Sequence, residues 1–268
     1  MDDRPGIASQ AGDLDRLIAR ADALVARPEF DGLIVSLDVY YRDRARTSAM
    51  DALYAGLVPA NGLAFDIGSH VGDRIGAFRR LGARVIAAEP QPDCAAAIRA
   101  LYGDDAGVTI VQAACGAEAG AMTMHINSAN PTVSTLAEPF IEASQGSENW
   151  TGQSWDQTLN VDVTTLDALI AEHGCPDFLK VDVEGFEADV LAGLTSRPPL
   201  VSFEFTTIQK DVALAALGRL ADLGATEFNL ALGEGHVFER TDWVSAQRMA
   251  EIVTALPDAA NSGDIYAR

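Results

Sequence analysis

This sequence predicts an α/β fold, a mostly parallel sheet with helices on both faces, and three observations carry that expectation. From residue 60 onward, short apolar runs alternate with amphipathic stretches. A glycine turn, "DIGSHVG", follows the first run, where a strand would hand over to a helix. The 268 residues are 48% hydrophobic, which is enough for a sizeable core.

Ahead of the alternation, Leu14, Leu17, Ile18, Ala21, Leu24 and Val25 recur at helical spacing. "TSAMDALYAGL" (Thr47 to Leu57) repeats the pattern, with Thr47 placed as its N-cap. Residues 1–59 are therefore expected to form a helical N-terminal cap and residues 60–268 the main domain. Within that domain "LAFDI", "RVIAAE", "VTIVQ", "DFLKVDV" and "LVSFEF" read as strands. "DRIGAFRRLG", "PDCAAAIRALYG", "TTLDALIAEHG", "GFEADVLAGL" and "KDVALAALGRLADLG" read as the helices between them. "GAMTMHIN" (Gly120 to Asn127) instead alternates apolar and polar strictly. Residues 128–160, polar but carrying Trp150 and Trp155, read as a lid or insertion. "ATEFNLAL", "GHVFER" and "GDIYAR" read as short closing strands, at least one antiparallel.

Charge narrows the functional classes. Lys+Arg total 19 against 39 Asp+Glu, a formal net charge of −20, which repels a phosphate backbone or an anionic membrane over most approaches. Neither a nucleic acid nor a membrane is expected as a partner. The one dense cationic stretch, "YYRDRAR" (Tyr40 to Arg46), reads as a solvated face. Cys94, Cys115 and Cys175 form no CxxC pair, and "MDDRPGIASQ" lacks the pattern of a signal peptide. A cytoplasmic location is expected, and the exposed cap offers a surface for a homodimer.

The glycine turn carries the chemistry. In open parallel sheets, ligands bind beyond the carboxyl ends of the strands, against the first amides of the following helix. Gly68 and Gly72 allow a sharp bend and a close backbone approach. Glu89, 21 residues past Gly68 at the end of the next strand, suits a ribose diol. A dinucleotide fingerprint reads G-x-G-x-x-G, whereas this turn reads G-x-x-x-G with Asp66 two residues ahead. A carboxylate there repels a pyrophosphate and suits a sulfonium or ammonium, so the residues favour S-adenosylmethionine over a nicotinamide cofactor.

"FDIGSHVGDR", "EPQPDCAAAIRALYG", "VDVTTLDALI", "PDFLKVDVEGFEADVLAGL", "PLVSFEF" and "GDIYA", in this order, resemble the FkbM family of S-adenosylmethionine-dependent methyltransferases from about Ala60 to the C-terminus. The resemblance implies a class I, Rossmann-like sheet of seven strands and methyl transfer to a hydroxyl of a sugar, glycoside or other natural product. Family members commonly carry Ala-Asn where this chain has Ser69-His70. With the resemblance, Asp66, Gly68, Ser69, His70, Gly72 and Glu89 are expected around the cofactor, His70 either touching its methionyl end or bonding the loop. Gln112 and Ala113 are expected beside the adenine, and "NPTVSTL" (Asn130 to Leu136) at the border of the acceptor pocket.

In "FLKVDVEG", Lys180, Asp182 and Glu184 alternate in a strand expected to be apolar. Asp182 is a candidate for the cofactor's ammonium or the reaction cleft, and Glu204 for a partner of Lys180. An aliphatic hydroxyl needs help losing its proton. Lys180, Glu204, His125 or His236 could act as base, or Asp182 with Glu204 could hold Mg²⁺. The alternative for Lys180, Asp182 and Glu204 is a structural ion-pair group. Two other functions stay open at this level: a non-catalytic methyltransferase-like binding module, and a nicotinamide-dependent dehydrogenase, which fits the Glu89 spacing but fails at Asp66 and the glycine pattern.

Overall fold

The computed structural model describes residues 7–268, with side chains from residue 13 onward. The expectations for residues 1–6, including the reading of the N-terminal stretch, lie outside the described residues. Three helices open the chain, α1 (Ile7–Val25), α2 (Ile34–Arg42) and α3 (Arg44–Ala55). Asp43, not Thr47, caps α3: its carboxylate accepts from the Arg46 amide at 2.9 Å, and Thr47 is buried one turn further in.

The alternation then runs β1 (Leu63–Ile67), α4 (Asp73–Arg80), β2 (Arg84–Ala88), α5 (Pro92–Tyr102) and β3 (Val108–Val111). A side branch follows with β4 (Ala114–Cys115), β5 (Gly120–Ile126), α6 (Glu138–Ser144) and β6 (Gln157–Thr164). The chain returns through α7 (Leu166–His173), β7 (Phe178–Val181), α8 (Glu187–Ala192), β8 (Leu200–Thr206) and α9 (Lys210–Asp222). It closes with β9 (Phe228–Leu232), α10 (Ala246–Ala255) and β10 (Ser262–Ala267). "GHVFER" forms a single bridge, Ala231 to Phe238, rather than a strand.

Among the described residues the main sheet has seven strands in the order β3-β2-β1-β7-β8-β10-β9, with β10 antiparallel to both its neighbours and the rest parallel. This is the class I methyltransferase sheet. β4, β6 and β5 form a separate three-stranded sheet, which explains the strict alternation of "GAMTMHIN": a half-solvated antiparallel strand shows one face to water.

Successive strand residues face opposite sides of a sheet, and the two cores divide accordingly. Ala64, Val85, Ala87 and Phe178 pack with α1 to α5, whereas Phe65, Ile67, Ile86, Leu179 and Val181 pack with α7 to α10. The N-terminal helices are thereby part of the first core. Tyr54 of α3, Phe78 of α4 and Phe178 of β7 meet at 4.8–5.6 Å between ring centroids, pairs worth about 0.5–1.5 kcal/mol each beyond their burial.

Residues 128–160 are folded. Val133, Ala137, Phe140 and Trp150 make a small core of their own, against which Trp155 and Phe186 pack. The Trp155 indole N–H donates to the Val133 carbonyl at 2.8 Å. The polar composition hid this element because its core is built around a few large aromatics, Phe140 with Trp150 and Trp155. Among the described residues no helix is long and apolar enough to cross a membrane.

Candidate active site

Towards the carboxyl ends of the strands, the face that packs on α1 to α5 changes character. Asp66 lies two residues after Ala64, Lys180 two after Phe178, Glu204 four after Leu200, and Asp264 two before Tyr266, so all four keep the same side of the sheet. An apolar core thus ends in a layer of charge at the rim where the glycine turn leaves β1.

Backbone conformation fixes that turn. Gly68 sits at φ +82°, and a Cβ there would run into the Asp182 carbonyl oxygen, so β1 and β7 approach as no side chain would allow. Gly72, at φ +84°, is backed by the Tyr102 ring 3.0 Å from the place of its missing Cβ. From behind, Tyr102 donates to the Gly72 carbonyl and Tyr41 to the Val71 carbonyl, each at 2.8 Å. The Ser69 hydroxyl donates to the Asp66 carbonyl at 2.8 Å. Ser69, Gly72 and Asp66 do not line the cleft above the turn. They shape it from below.

That narrow cleft, about 500 Å³ of non-atom space counting its open mouth, is lined by Gly68, His70, Glu89, Ala113, Leu136 and Asp182 among others. Glu89 is 2% exposed; its two oxygens accept from the amides of His70 and Gln91, both at 2.8 Å. Burial pushes its carboxyl up to about 7 against those amides. Asp66, 1% exposed, is raised to about 7 by burial as well, yet neither of its oxygens has a hydrogen-bond partner among the described residues. His70 stands at φ +47°, with Nε2 3.2 Å from the Thr132 hydroxyl and Nδ1 3.5 Å from the Cys94 sulfur. Burial pushes its imidazole down to about 4, so it is neutral and ties the glycine turn to the "NPTV" segment.

Beside the cleft lies the charged layer. Lys180, 0% exposed, reaches Asp264 at 2.5 Å and Asp182 at 3.1 Å. Burial would lower its ammonium, but these two carboxylates outweigh it and hold it above the ordinary lysine range. A base must give up its proton near neutrality, so Lys180 does not qualify. It also pairs with Asp264 rather than with Glu204, because Ser202, not Glu204, stands beside it in the register. Asp182 is held low, and ionised, where Lys180 and Arg74 outweigh its burial. Glu204 and Glu184 go the other way: burial, then the carboxylates beside them, Asp182 foremost, push both well above the usual range.

Two more expectations are corrected. Gln112 is exposed and bonded to Arg99 at 2.9 Å, outside the cleft, because β3 ends at Val111 and the next side chain turns to solvent. "YYRDRAR" is not a uniformly solvated face: Arg46 is buried, 2.7 Å from Asp73, and paired with Glu234 at 2.5 Å. Arg74 joins this group, 3.6 Å from Glu234 and 3.7 Å from Asp182. Burial would raise Glu234, but the two arginines hold it well below the carboxylate range. His236 sits 3.4 Å from Glu234, off the cleft. His125, 3.6 Å from Glu138, lines a separate open groove with Trp150 and Trp155.

The rim thus offers a pocket with apolar patches, a carboxylate fixed by backbone amides, and ionised acids beside an unpartnered one. Such a donor set fits a ligand with a flat ring, a diol and positive charge. The turn's amides are already spent among the described residues, those of Gly68 and Ser69 on the Ala88 carbonyl, that of Gly72 on Ser69 and that of His70 on Glu89, which disfavours a pyrophosphate there.

Comparison with known proteins bears on this directly. The family description "Methyltransferase FkbM domain" matches residues 66–234, from the unpartnered aspartate to the glutamate that pairs with Arg46. A comparison with curated proteins returns no match. Among solved structures the chain is similar to a precorrin-6y C5,15-methyltransferase from Geobacter metallireducens, at 16% identity over 83% of this chain and 86% of that one, TM-score 0.41. It is also similar to Aeropyrum pernix fibrillarin in complex with natively bound S-adenosyl-L-methionine, at 11% identity over 83% and 76%, TM-score 0.42. A third is a TehB-like SAM-dependent methyltransferase from Corynebacterium glutamicum, at 10% identity over 82% and 86%, TM-score 0.41. The family match covers more than half of the 268 residues and begins and ends on residues of the rim, and the chain belongs to the FkbM methyltransferase family.

Proposed function

We propose that this methyltransferase moves a methyl group from S-adenosylmethionine to a hydroxyl oxygen of a small molecule such as a sugar, a glycoside or another natural product. The observation that carries the reading is the rim cleft, where Glu89 presents a fixed carboxylate next to Gly68 and Asp182 lines the same space, with Asp66 beneath the turn. In this reading Glu89 accepts the ribose hydroxyls, Ala113 borders the adenine, and Gly68 lets the backbone close on the ligand. The acids Asp66 and Asp182 balance the positive charge. His70, neutral and tied to Thr132, holds the turn in shape.

S-adenosylmethionine supplies a methyl group already made electrophilic by its sulfonium. What the chain must add is alignment and a proton acceptor. As the new carbon–oxygen bond forms and the carbon–sulfur bond breaks, the hydroxyl proton passes to the Asp182–Glu204 carboxyl pair, which stands at the tips of β7 and β8 beside the cleft. Lys180 and Arg74 hold Asp182 ionised until then, which makes it the member of the pair able to take the proton. A small acceptor fits the net charge of −20 better than an RNA does, since the charge repels phosphates.

The test is an incubation with isotopically labelled S-adenosylmethionine and a cell extract, followed by mass spectrometry and NMR of the labelled product. Label on the oxygen of a small molecule is the expected result. Label on nitrogen, carbon or RNA, or no binding of S-adenosylhomocysteine by calorimetry, removes the reading.

A further inference from the structure

We infer that Asp182, Glu184 and Glu204 together hold one hard divalent cation of the Mg²⁺ or Mn²⁺ kind at the rim. Its catalytic use rests on the O-methyl reading above, while its binding does not. One carboxylate oxygen from each of the three residues lies within 4.8 Å of the others. Oxygen ligands about 2.1 Å from an octahedral ion stand about 3 Å apart when adjacent and about 4.2 Å when opposite, so side chains whose oxygens lie within 4.8 Å need close by about half an ångström or more to share one ion.

Two further observations separate this group from an ordinary acidic patch. Glu184 is 8% exposed, and its Oε2 has no hydrogen-bond partner among the described residues, which is costly for a carboxylate with nothing to receive. Asp182 and Glu204 each bring an oxygen within 4.8 Å of the other and of Glu184, and three ionised carboxylates so placed repel one another unless a proton or a cation stands among them.

The protein's own cations are already committed. Lys180 is divided between Asp182 and Asp264, and Arg74 between Asp73, Asp182 and Glu234. Among the described residues no ion pair within 4.0 Å reaches Glu184 or Glu204. Their neighbour Glu187, itself buried, spends one oxygen on the amides of Val183 and Gly185 and adds negative charge rather than relieving it. The set is all oxygen, which selects hard ions over zinc or copper. A cation held there beside the cleft would acidify the acceptor hydroxyl as it coordinates, leaving a free carboxylate oxygen to receive the proton.

The full chain is titrated with Mn²⁺, followed by electron paramagnetic resonance and calorimetry, with and without S-adenosylhomocysteine, for wild type, Glu184→Gln and Glu204→Gln. One strong Mn²⁺ per chain is expected, weakened at least about tenfold in each variant, with S-adenosylhomocysteine affinity changed by less than about threefold. Thermal melts establish that both variants fold, and the two nearly isosteric changes guard against one of them failing. Absence of strong Mn²⁺ binding to wild type, or equal binding by wild type and both variants, overturns the site. Mn²⁺ binding without S-adenosylhomocysteine binding would instead remove the methyl-transfer reading and leave the cation site standing.

Discussion

Asp66 and Glu89 close adjacent parallel strands, are equally buried, and are both raised to about 7, yet the chain treats them in opposite ways. Glu89 has its two oxygens met by backbone amides that the glycine turn and the Gln91 turn aim at it. Asp66 is met by nothing among the described residues. Amides positioned by the backbone cost no reorganisation when a ligand arrives, so Glu89 is a finished binding group. An unpartnered acid is a group waiting for a proton or a positive charge. The lesson concerns burial: the same exposure and the same shift accompany a preorganised carboxylate in one place and an uncompensated one in the other.

A third acid shows what compensation by a side chain is worth, and it gives the largest expected effect. Asp264 depends on Lys180 at 2.5 Å, deep in the same layer. Lys180→Met removes that ammonium and leaves Asp264 and Asp182 facing each other in low dielectric. A loss of about 3–5 kcal/mol in urea unfolding at pH 7 is expected, because breaking a buried pair strands a charge. A loss below about 1 kcal/mol would mean that water or a neighbouring proton already compensates the aspartates.

Next comes the preorganised acid. Glu89→Ala leaves the amides of His70 and Gln91 unpaired and removes the diol acceptor, so S-adenosylhomocysteine affinity is expected to fall at least about a hundredfold, or about 2.7 kcal/mol. Glu89→Gln keeps one acceptor oxygen and loses less. Equal losses in the two variants would mean that charge, not the shared amide geometry, does the holding.

The unpartnered acid predicts a gain. With its folded pKa raised from 3.8 to about 7, Asp66 keeps its proton in the native state while the unfolded chain loses it. Its stabilising contribution is complete below pH 3.8 and is lost as pH rises through 7. Asp66→Asn removes that loss, so the ligand-free variant should nearly match wild type near pH 4 and gain on it as pH rises, by up to about 4 kcal/mol at pH 8 at about 1.4 kcal/mol per pKa unit. In the presence of S-adenosylmethionine the order should shrink or reverse. A pH-independent difference in urea unfolding would show that Asp66 does not titrate in this window.

The sheet and the glycine turn were legible because each is written locally. Apolar runs such as "LAFDI" and "RVIAAE" need both faces buried, and Gly68 and Gly72 occupy left-handed backbone that other residues avoid. Glu89 was legible for the same reason, as an acid at a strand tip. The arginine network was not. Arg46 and Glu234 meet across 188 positions of sequence, and nothing in "YYRDRAR" distinguishes the buried guanidinium from the exposed ones of Arg42 and Arg44 beside it. Asp264 did leave a signal: in "GDIYA" it shares the parity of Tyr266, so a buried tyrosine there implied a buried acid. Glu204 was legible as an acid near the end of its strand, but its partner could not be chosen without the register that sets Ser202 against Lys180.

The smallest effect tests the one cofactor assignment that the fold moved away from the cleft. Parity and strand length decide it: β3 stops at Val111, so Gln112 leaves the sheet and its amide oxygen accepts from Arg99 at 2.9 Å, whereas Ala113 turns inward and lines the cleft. An exposed hydrogen bond of this kind contributes little to stability, and the side chain has no path to the adenine end. Gln112→Ala is expected to leave S-adenosylhomocysteine affinity within about twofold, while Ala113→Leu, which pushes bulk into the cleft, is expected to weaken it by more than about tenfold. If the two changes were equally harmful, the end of β3 would have to rearrange when the ligand binds, and the contrast between a finished Glu89 and a waiting Asp66 would have to be redrawn with a third group that forms only in the complex.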